Sequence, residues 1–359
     1  MPLFMDIHTV DSAAFTVEDV VKAHMEDLAI EEKFGVKQIK YWVNVEAKTL
    51  FCLMKGPSRD ACNEVHKESH GNTACNIIEV SEDEFNLYLG KGKSVDDLAH
   101  TNSGELDTGY RTILLLSVID FTGEDTACID KIHKIIDSHN GVLIIHPENE
   151  IMVSFILASD ALICALNVRK LLSSTGKNLE YNLTLVSGRP VDEKGENLFE
   201  ETKKKAKYLC SLRLNNTMYL DADTKELSDK ERPSDKINPD AFIIVKQKEF
   251  IFLFKLFEVI KNKLNDPTFI SEDLYESMGL SKSKTYRKIK ALTGIAPNQL
   301  LQEIRLRNSL KSLKQNDKTI SEIVYDSGFN SPAYYAQIFR RRFNVTPTLY
   351  IKISKNRSF

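Results

Sequence analysis

The last third of the chain holds the same helical phrase twice, fifty residues apart. The first copy runs from Ile270-Ser-Glu-Asp-Leu through Gly279 to Gly294-Ile-Ala-Pro297. The second runs from Ile320-Ser-Glu-Ile-Val through Gly328 to Asn344-Val-Thr-Pro347. Each copy reads as a short helix, a Gly-centred turn and a longer helix rich in Lys or Arg. That order predicts a helix-turn-helix, whose second helix enters a DNA major groove. Gly279 and Gly328 stand where the turn needs positive φ or close helix approach. Ser281 and Ser331 are placed to cap the following helices, and Pro332 suits a first helical position.

Charge supports this reading. The net charge of −3 hides a gradient: residues 1–108 carry −10, residues 109–245 carry −4, and residues 246–359 carry +11. A basic end behind acidic domains fits a polyanion-binding module joined to something that does not bind DNA. The expected DNA-facing residues are Lys282, Ser283, Lys284, Arg287 and Lys288 in the first reader helix, and Ala333, Tyr334, Gln337, Arg340 and Arg341 in the second. Tyr286, Ile289 and Leu292 are expected inward in the first; Tyr335, Ile338, Phe339 and Phe343 in the second. Gln337 suits adenine and Arg287 or Arg341 suits guanine, while the other cations suit phosphate.

Residues 246–355 resemble the DNA-binding domain of the AraC/XylS family of bacterial transcription regulators. The matching phrases include Ser283-Lys-Thr-Tyr-Arg-Lys-Ile-Lys-Ala-Leu-Thr-Gly294, Ile304-Arg-Leu-Arg307, Ile323-Val-Tyr-Asp-Ser-Gly-Phe329 and Phe339-Arg-Arg-Arg-Phe343. The resemblance implies two reader units docked in successive major grooves, with Asn298–Leu313 as the joining helix. Thr285 stands where that family usually has Leu, and Asn344 where it usually has Gly.

Residues 1–90 alternate strand and helix patterns in the order βαββαβ, the ferredoxin-like unit. A helix capped by Thr16 is expected to reach about Lys33, and another, capped by Ser58, to reach about His70. His66 and His70 fall one helical turn apart on one face, a chelating spacing. Asp6 and His8 share one face of the first strand, and His24 lies on its helix's apolar stripe. These five residues form the candidate metal site, with nickel, zinc or copper as candidate ions. The segment also resembles a family of small ferredoxin-like proteins that includes nickel-binding members, through Met5-Asp-Ile-His8, Ala23-His24, Tyr41-Trp42, Phe51-Cys-Leu53 and Val65-His-Lys-Glu-Ser-His-Gly71.

Residues 110–227 repeat the α/β rhythm. Leu114-Leu-Leu-Ser-Val-Ile-Asp-Phe-Thr-Gly123 resembles the opening strand of class III nucleotide cyclase domains. That likeness implies a metal-binding carboxylate at Asp120. The second carboxylate is replaced by Asn149, with Glu148 and Glu150 as nearby substitutes, and Lys203 and Lys207 stand at the later Asn and Arg positions. Two-metal catalysis needs both carboxylates, so the domain is expected to have lost catalysis and the chain not to be an enzyme.

The expected architecture is multidomain: two ferredoxin-like α/β sandwiches at 1–90 and 110–227, then an all-helical double helix-turn-helix at 246–359. Polar stretches 90–109 and 228–239 read as boundaries. No apolar run is long enough to span a bilayer, no secretory leader is visible, and the six cysteines show no regular pairing. A cytoplasmic regulator is therefore expected. Its expected partners are double-stranded DNA, RNA polymerase, a metal or small-molecule effector and a second copy of the chain. The rival readings are a nucleotide cyclase fused to a reader and a metal-storage protein.

Overall fold

The computed structural model describes residues 1–359 except 13, 91, 122–125, 146–149, 176–178, 213–215, 234–237 and 356–359. The first unit contains β1 (Leu3–Thr9), α1 (Val17–Leu28), β2 (Lys37–Asn44), β3 (Thr49–Lys55), α2 (Arg59–Ser69) and β4 (Asn76–Val80), followed by α3 (Glu82–Tyr88), β5 (Lys93–Val95) and β6 (Leu98–His100). Thr16 and Asp19 form a reciprocal capping box that starts α1, and Ser58 caps α2. Helix α1 stops at Leu28, short of the expected Lys33. A 3-10 turn over Glu31–Phe34 follows, and Gly35, at φ 64°, redirects the chain into β2. The sheet order is β4-β1-β3-β2-β6-β5. Its first four strands are the ferredoxin-like order. The Gly-rich stretch after residue 90 is no free tether, because its two short strands extend this sheet.

The second unit contains β7 (Arg111–Asp120), α4 (Thr126–Ser138), β8 (Val142–Ile145), β9 (Glu150–Phe155), α5 (Ala158–Ser174), β10 (Leu179–Gly188), α6 (Glu200–Leu212), β11 (Thr217–Asp221), α7 (Ala222–Glu231) and β12 (Ile243–Val245). Its sheet order is β12-β11-β10-β7-β9-β8, so β10-β7-β9-β8 repeats the order of the first unit. Strand alternation sends Leu114, Leu116, Leu183 and Leu185 into one core with α4 and α5. It sends Ile113, Leu115 and Val186 to the opposite face. There they share a core with Trp42 and Phe51 of the first unit and Phe250 and Leu253 of the third. Arg111, almost wholly buried, pins the first junction: its guanidinium donates to both carboxylate oxygens of Asp107 and to the Tyr88 carbonyl, each at 2.8 Å.

The third unit is all helical: α8 (Gln247–Lys263), α9 (Ser271–Met278), α10 (Lys282–Thr293), α11 (Pro297–Gln315), α12 (Ile320–Asp326), α13 (Pro332–Phe343) and α14 (Pro347–Lys355). Helix α8 turns an aromatic face into the core, where Phe250 and Phe257 are buried. Among the described residues, no helix is long and apolar enough to cross a membrane.

Candidate metal centre and nucleic-acid interface

A cavity of about 440 Å³ opens in the first unit between α1, β1 and α2, and His8, His24, His66, His70, Asp27 and Cys52 all line it. His66 stands at its base, wholly buried. Its Nε2 is 2.9 Å from Asp6 and its Nδ1 is 2.9 Å from Asp27. Burial opposes ionisation of both carboxylates but is outweighed: electrostatic interaction with His8 and bonds to His66 and His8 hold Asp6 well below the ordinary range, and bonds to His66, His70 and Ser69 do so for Asp27. Burial also disfavours charge on His66, but its bonds to Asp27 and Asp6 win and raise its pKa to about 10. Both ring nitrogens face ionised acceptors, so His66 is an imidazolium donating twice.

Around this pair of carboxylates the structure builds two ligand groups, one on each side of the His66 ring. Asp6, His8, Cys52 and His66 form the first; Asp27, His66 and His70 form the second. His8 lies 3.2 Å from Asp6, and His70 lies 3.3 Å from Asp27. His24 belongs to neither group. It is buried on the cavity wall against Tyr41, and neither ring nitrogen has a hydrogen-bond partner. Its Nε2 is 3.7 Å from Asp97, and burial lowers its pKa. A buried imidazole aimed into a carboxylate- and thiol-lined cavity is unsatisfied without an occupant. The donor chemistry fits a borderline-soft divalent cation.

The reader surface lies at the other end of the chain. Gly279 ends α9 at φ 63°. Gly328 sits at φ 79° in the second turn, where an added Cβ would lie 2.3 Å from the Leu264 carbonyl oxygen. Glycine is required there for both conformation and space. Ser281 and Ser331 cap α10 and α13 by accepting from the backbone N–H groups of Lys284 and Tyr334. Lys282, Ser283, Lys284 and Arg287 are exposed on α10, with Lys288 half-buried over the Phe252 ring. Ala333, Tyr334, Gln337, Arg340 and Arg341 are exposed on α13, and Tyr335, Ile338, Phe339 and Phe343 are buried beneath them. One inward expectation is corrected. Tyr286 is exposed, and Thr285 takes the inner position beside Ile289 and Leu292. A larger ring one position round the helix turns outward while the small Thr fits the tight packing.

Residues 274–353 match the model of a helix-turn-helix domain, and residues 4–80 match that of the nickel responsive protein SCO4226-like family. The chain joins a SCO4226-like domain to an AraC-type helix-turn-helix domain. A histidine kinase P4 from Formosa agariphila is 36% identical over 98 residues, 27% of this chain and 7% of that protein. The HTH-type transcriptional activator RhaS of Mannheimia succiniciproducens is 33% identical over 76 residues, 21% of this chain and 28% of that protein. The chain thus spans less than a third of either relative's length. The crystal structure of SCO4226 from Streptomyces coelicolor is 35% identical, with 22% of this chain and 94% of that one covered, at a TM-score of 0.21.

Within the SCO4226-like domain, sequence reasoning missed Asp27 as a member of the site. The signal was present: Asp27 lies three residues after His24, on the same face of α1. Cys52, part of the Phe51-Cys-Leu53 phrase, joins the first ligand group, and burial raises its pKa well above the ordinary value. In the middle unit, Asp120 is buried at the end of β7. Glu148 and Asn149 lie outside the described residues. Glu150 is half-buried, and Lys203 is paired with Glu84 at 3.3 Å. Among the described residues no group of metal-ligating side chains forms in this unit.

Proposed function

We propose that the chain is a sequence-specific DNA-binding transcription regulator whose N-terminal cavity senses a divalent transition metal. The observation that carries the reading is the pair of capped, outward-facing helices, α10 and α13, each behind a left-handed glycine and each with basic residues exposed, Lys282, Lys284 and Arg287 on one and Arg340 and Arg341 on the other. Such a surface neutralises phosphate and places polar side chains at base edges. Nickel is the first candidate ion because of the SCO4226-like match; zinc and copper accept the same donors. The bound ion would be held by the Asp6 and Asp27 groups about His66, and would supply the positive charge that the imidazolium now provides. Double-stranded DNA is the primary partner, with RNA polymerase and a second copy of the chain as further partners, in the cytoplasm.

Footprinting of the full chain on genomic fragments, with and without nickel, tests the proposal. The expected result is protection of a preferred sequence whose occupancy changes with metal. Metal uptake with no change in DNA affinity would favour metal storage. At base level, Gln337→Ala should relax preference at one base pair, by roughly 1–3 kcal/mol of discrimination. Arg340→Ala should instead weaken binding to all sequences alike and reduce the salt slope by about one. Competition with single-base operator variants distinguishes the two patterns.

For the sensor, calorimetric titration of the full chain with nickel, zinc and copper should show uptake that disappears in the His66→Ala/His70→Ala double variant. Uptake should be accompanied by proton release, since an imidazolium must lose a proton to ligate. Tight uptake surviving the double substitution would remove these residues from the site.

A further inference from the structure

The middle unit touches both reader units and the helix that joins them. At the end of β7, the buried ring of Phe121 stacks on Phe343 of α13, with centroids 5.0 Å apart and planes 22° apart, and lies 5.8 Å from Tyr350 of α14. Beside it, Arg342 of α13 forms a two-toothed ion pair with Glu180 of β10 and a second pair with Glu303 of α11. The joining helix is held by Arg307, which donates to the Ser211 carbonyl at 2.9 Å. The first reader unit is held from β11, where the buried Tyr219 hydroxyl donates to the Leu292 carbonyl near the end of α10 at 3.2 Å. Tyr208 of α6 stacks on Phe257 of α8, with centroids 4.7 Å apart and planes 5° apart. None of these contacts uses a reader residue expected to meet DNA, and the outward faces of α10 and α13 stay open.

We propose that the middle unit is a splint: Phe121 and Glu180 are positioning residues that set the separation of the two reader helices, and so the half-site spacing and affinity, without touching DNA. This rests on the DNA-reading function above. Two weak readers reinforce one another only if their separation matches the groove repeat of the duplex. Holding that separation in advance removes an ordering cost from binding. The contacts suit the task because they fix three points, one on each reader unit and one between them. They also place Phe121 inside the aromatic core of the second reader unit, where Phe339, Phe343 and Tyr350 pack.

The test uses the full chain with DNA carrying two half-sites at varied spacing, and separately a single half-site. Wild type should prefer one spacing. Glu180→Gln and Phe121→Ala should each bind the preferred spacing about tenfold more weakly and accept spacings one or two base pairs longer or shorter, with single half-site affinity unchanged. Glu180→Gln removes only a charge at a half-buried surface, so it keeps the test decisive if Phe121→Ala loosens the reader unit itself. Unchanged spacing and affinity in Glu180→Gln overturns the splint. Tighter binding in that variant overturns it as well, because the contact would then restrain the reader. Wild-type chain showing no sequence preference at all takes down the DNA reading with it.

Discussion

His66→Ala should lower the stability of the N-terminal unit by ~3–5 kcal/mol, the cost of leaving a buried charge pair without its partner. The substitution leaves Asp6 and Asp27 buried with the cation between them gone, and both must take up protons or open the domain to water. Denaturation of the full chain in chelator, followed by fluorescence, reads this directly, because the single tryptophan, Trp42, is wholly buried in this unit. The pH dependence has a definite sign. His66 is raised from 6.5 to about 10, so its contribution is fully present below pH 6.5 and is lost as pH rises through 10. Asp6 and Asp27 are lowered from 3.8, so their contribution is present above that value and is lost as pH falls below it. Wild-type stability should therefore peak between those limits and decline on both sides. In His66→Ala the alkaline decline should become shallower, with the remainder carried by Cys52, Cys62 and Tyr41, whose pKa values burial also raises. An unaltered denaturation midpoint in the variant would show that the Asp6–His66–Asp27 chain is not ionised.

Binding of the full chain to its preferred DNA should collapse with salt. The two reader helices offer the duplex six cations, each of which displaces a counterion whether it meets phosphate or a base edge: Lys282, Lys284, Arg287, Lys288, Arg340 and Arg341. At roughly 0.9 counterions released per phosphate contact, six contacts give a slope near −5 in log affinity against log salt. Between 50 and 200 mM salt that is a loss of about a thousandfold. Fluorescence anisotropy over a salt series checks it. A slope near zero would mean that the basic face does not meet the phosphate backbone. The charge of the acidic first unit should contribute little at the higher salt, where screening cuts its reach to about 8 Å.

Local pattern carried much of this structure. Helix starts at Thr16, Ser58, Ser281 and Ser331 were legible because a capping side chain bonds the backbone within three residues of itself. The turns at Gly279 and Gly328 were legible because positive φ is written in residue type. The repeat identified the reader, and the βαββαβ rhythm identified the first two sheets, because helix and strand periods place apolar side chains at fixed short spacings. The pairing of His66 and His70 followed from the same helical period.

What the tertiary structure decided lies at long separation. His66 meets Asp27 across 39 residues and Asp6 across 60, so no spacing rule announces that the histidine is an imidazolium locked between two carboxylates. The exchange of Tyr286 for Thr285 at the inner position depends on how closely α9 and α10 pack, which side-chain period alone leaves ambiguous by one residue. Phe121 read as the end of a strand beside Asp120, the one carboxylate that a degenerate cyclase-like site retains. Folding instead places it under Phe343 and Tyr350, more than 200 residues away along the chain. The sequence by itself determined which modules the chain contains, since those are local patterns. Only the tertiary structure decided which buried charges neutralise one another and how the modules are braced together, since both depend on surfaces that meet after each module has folded.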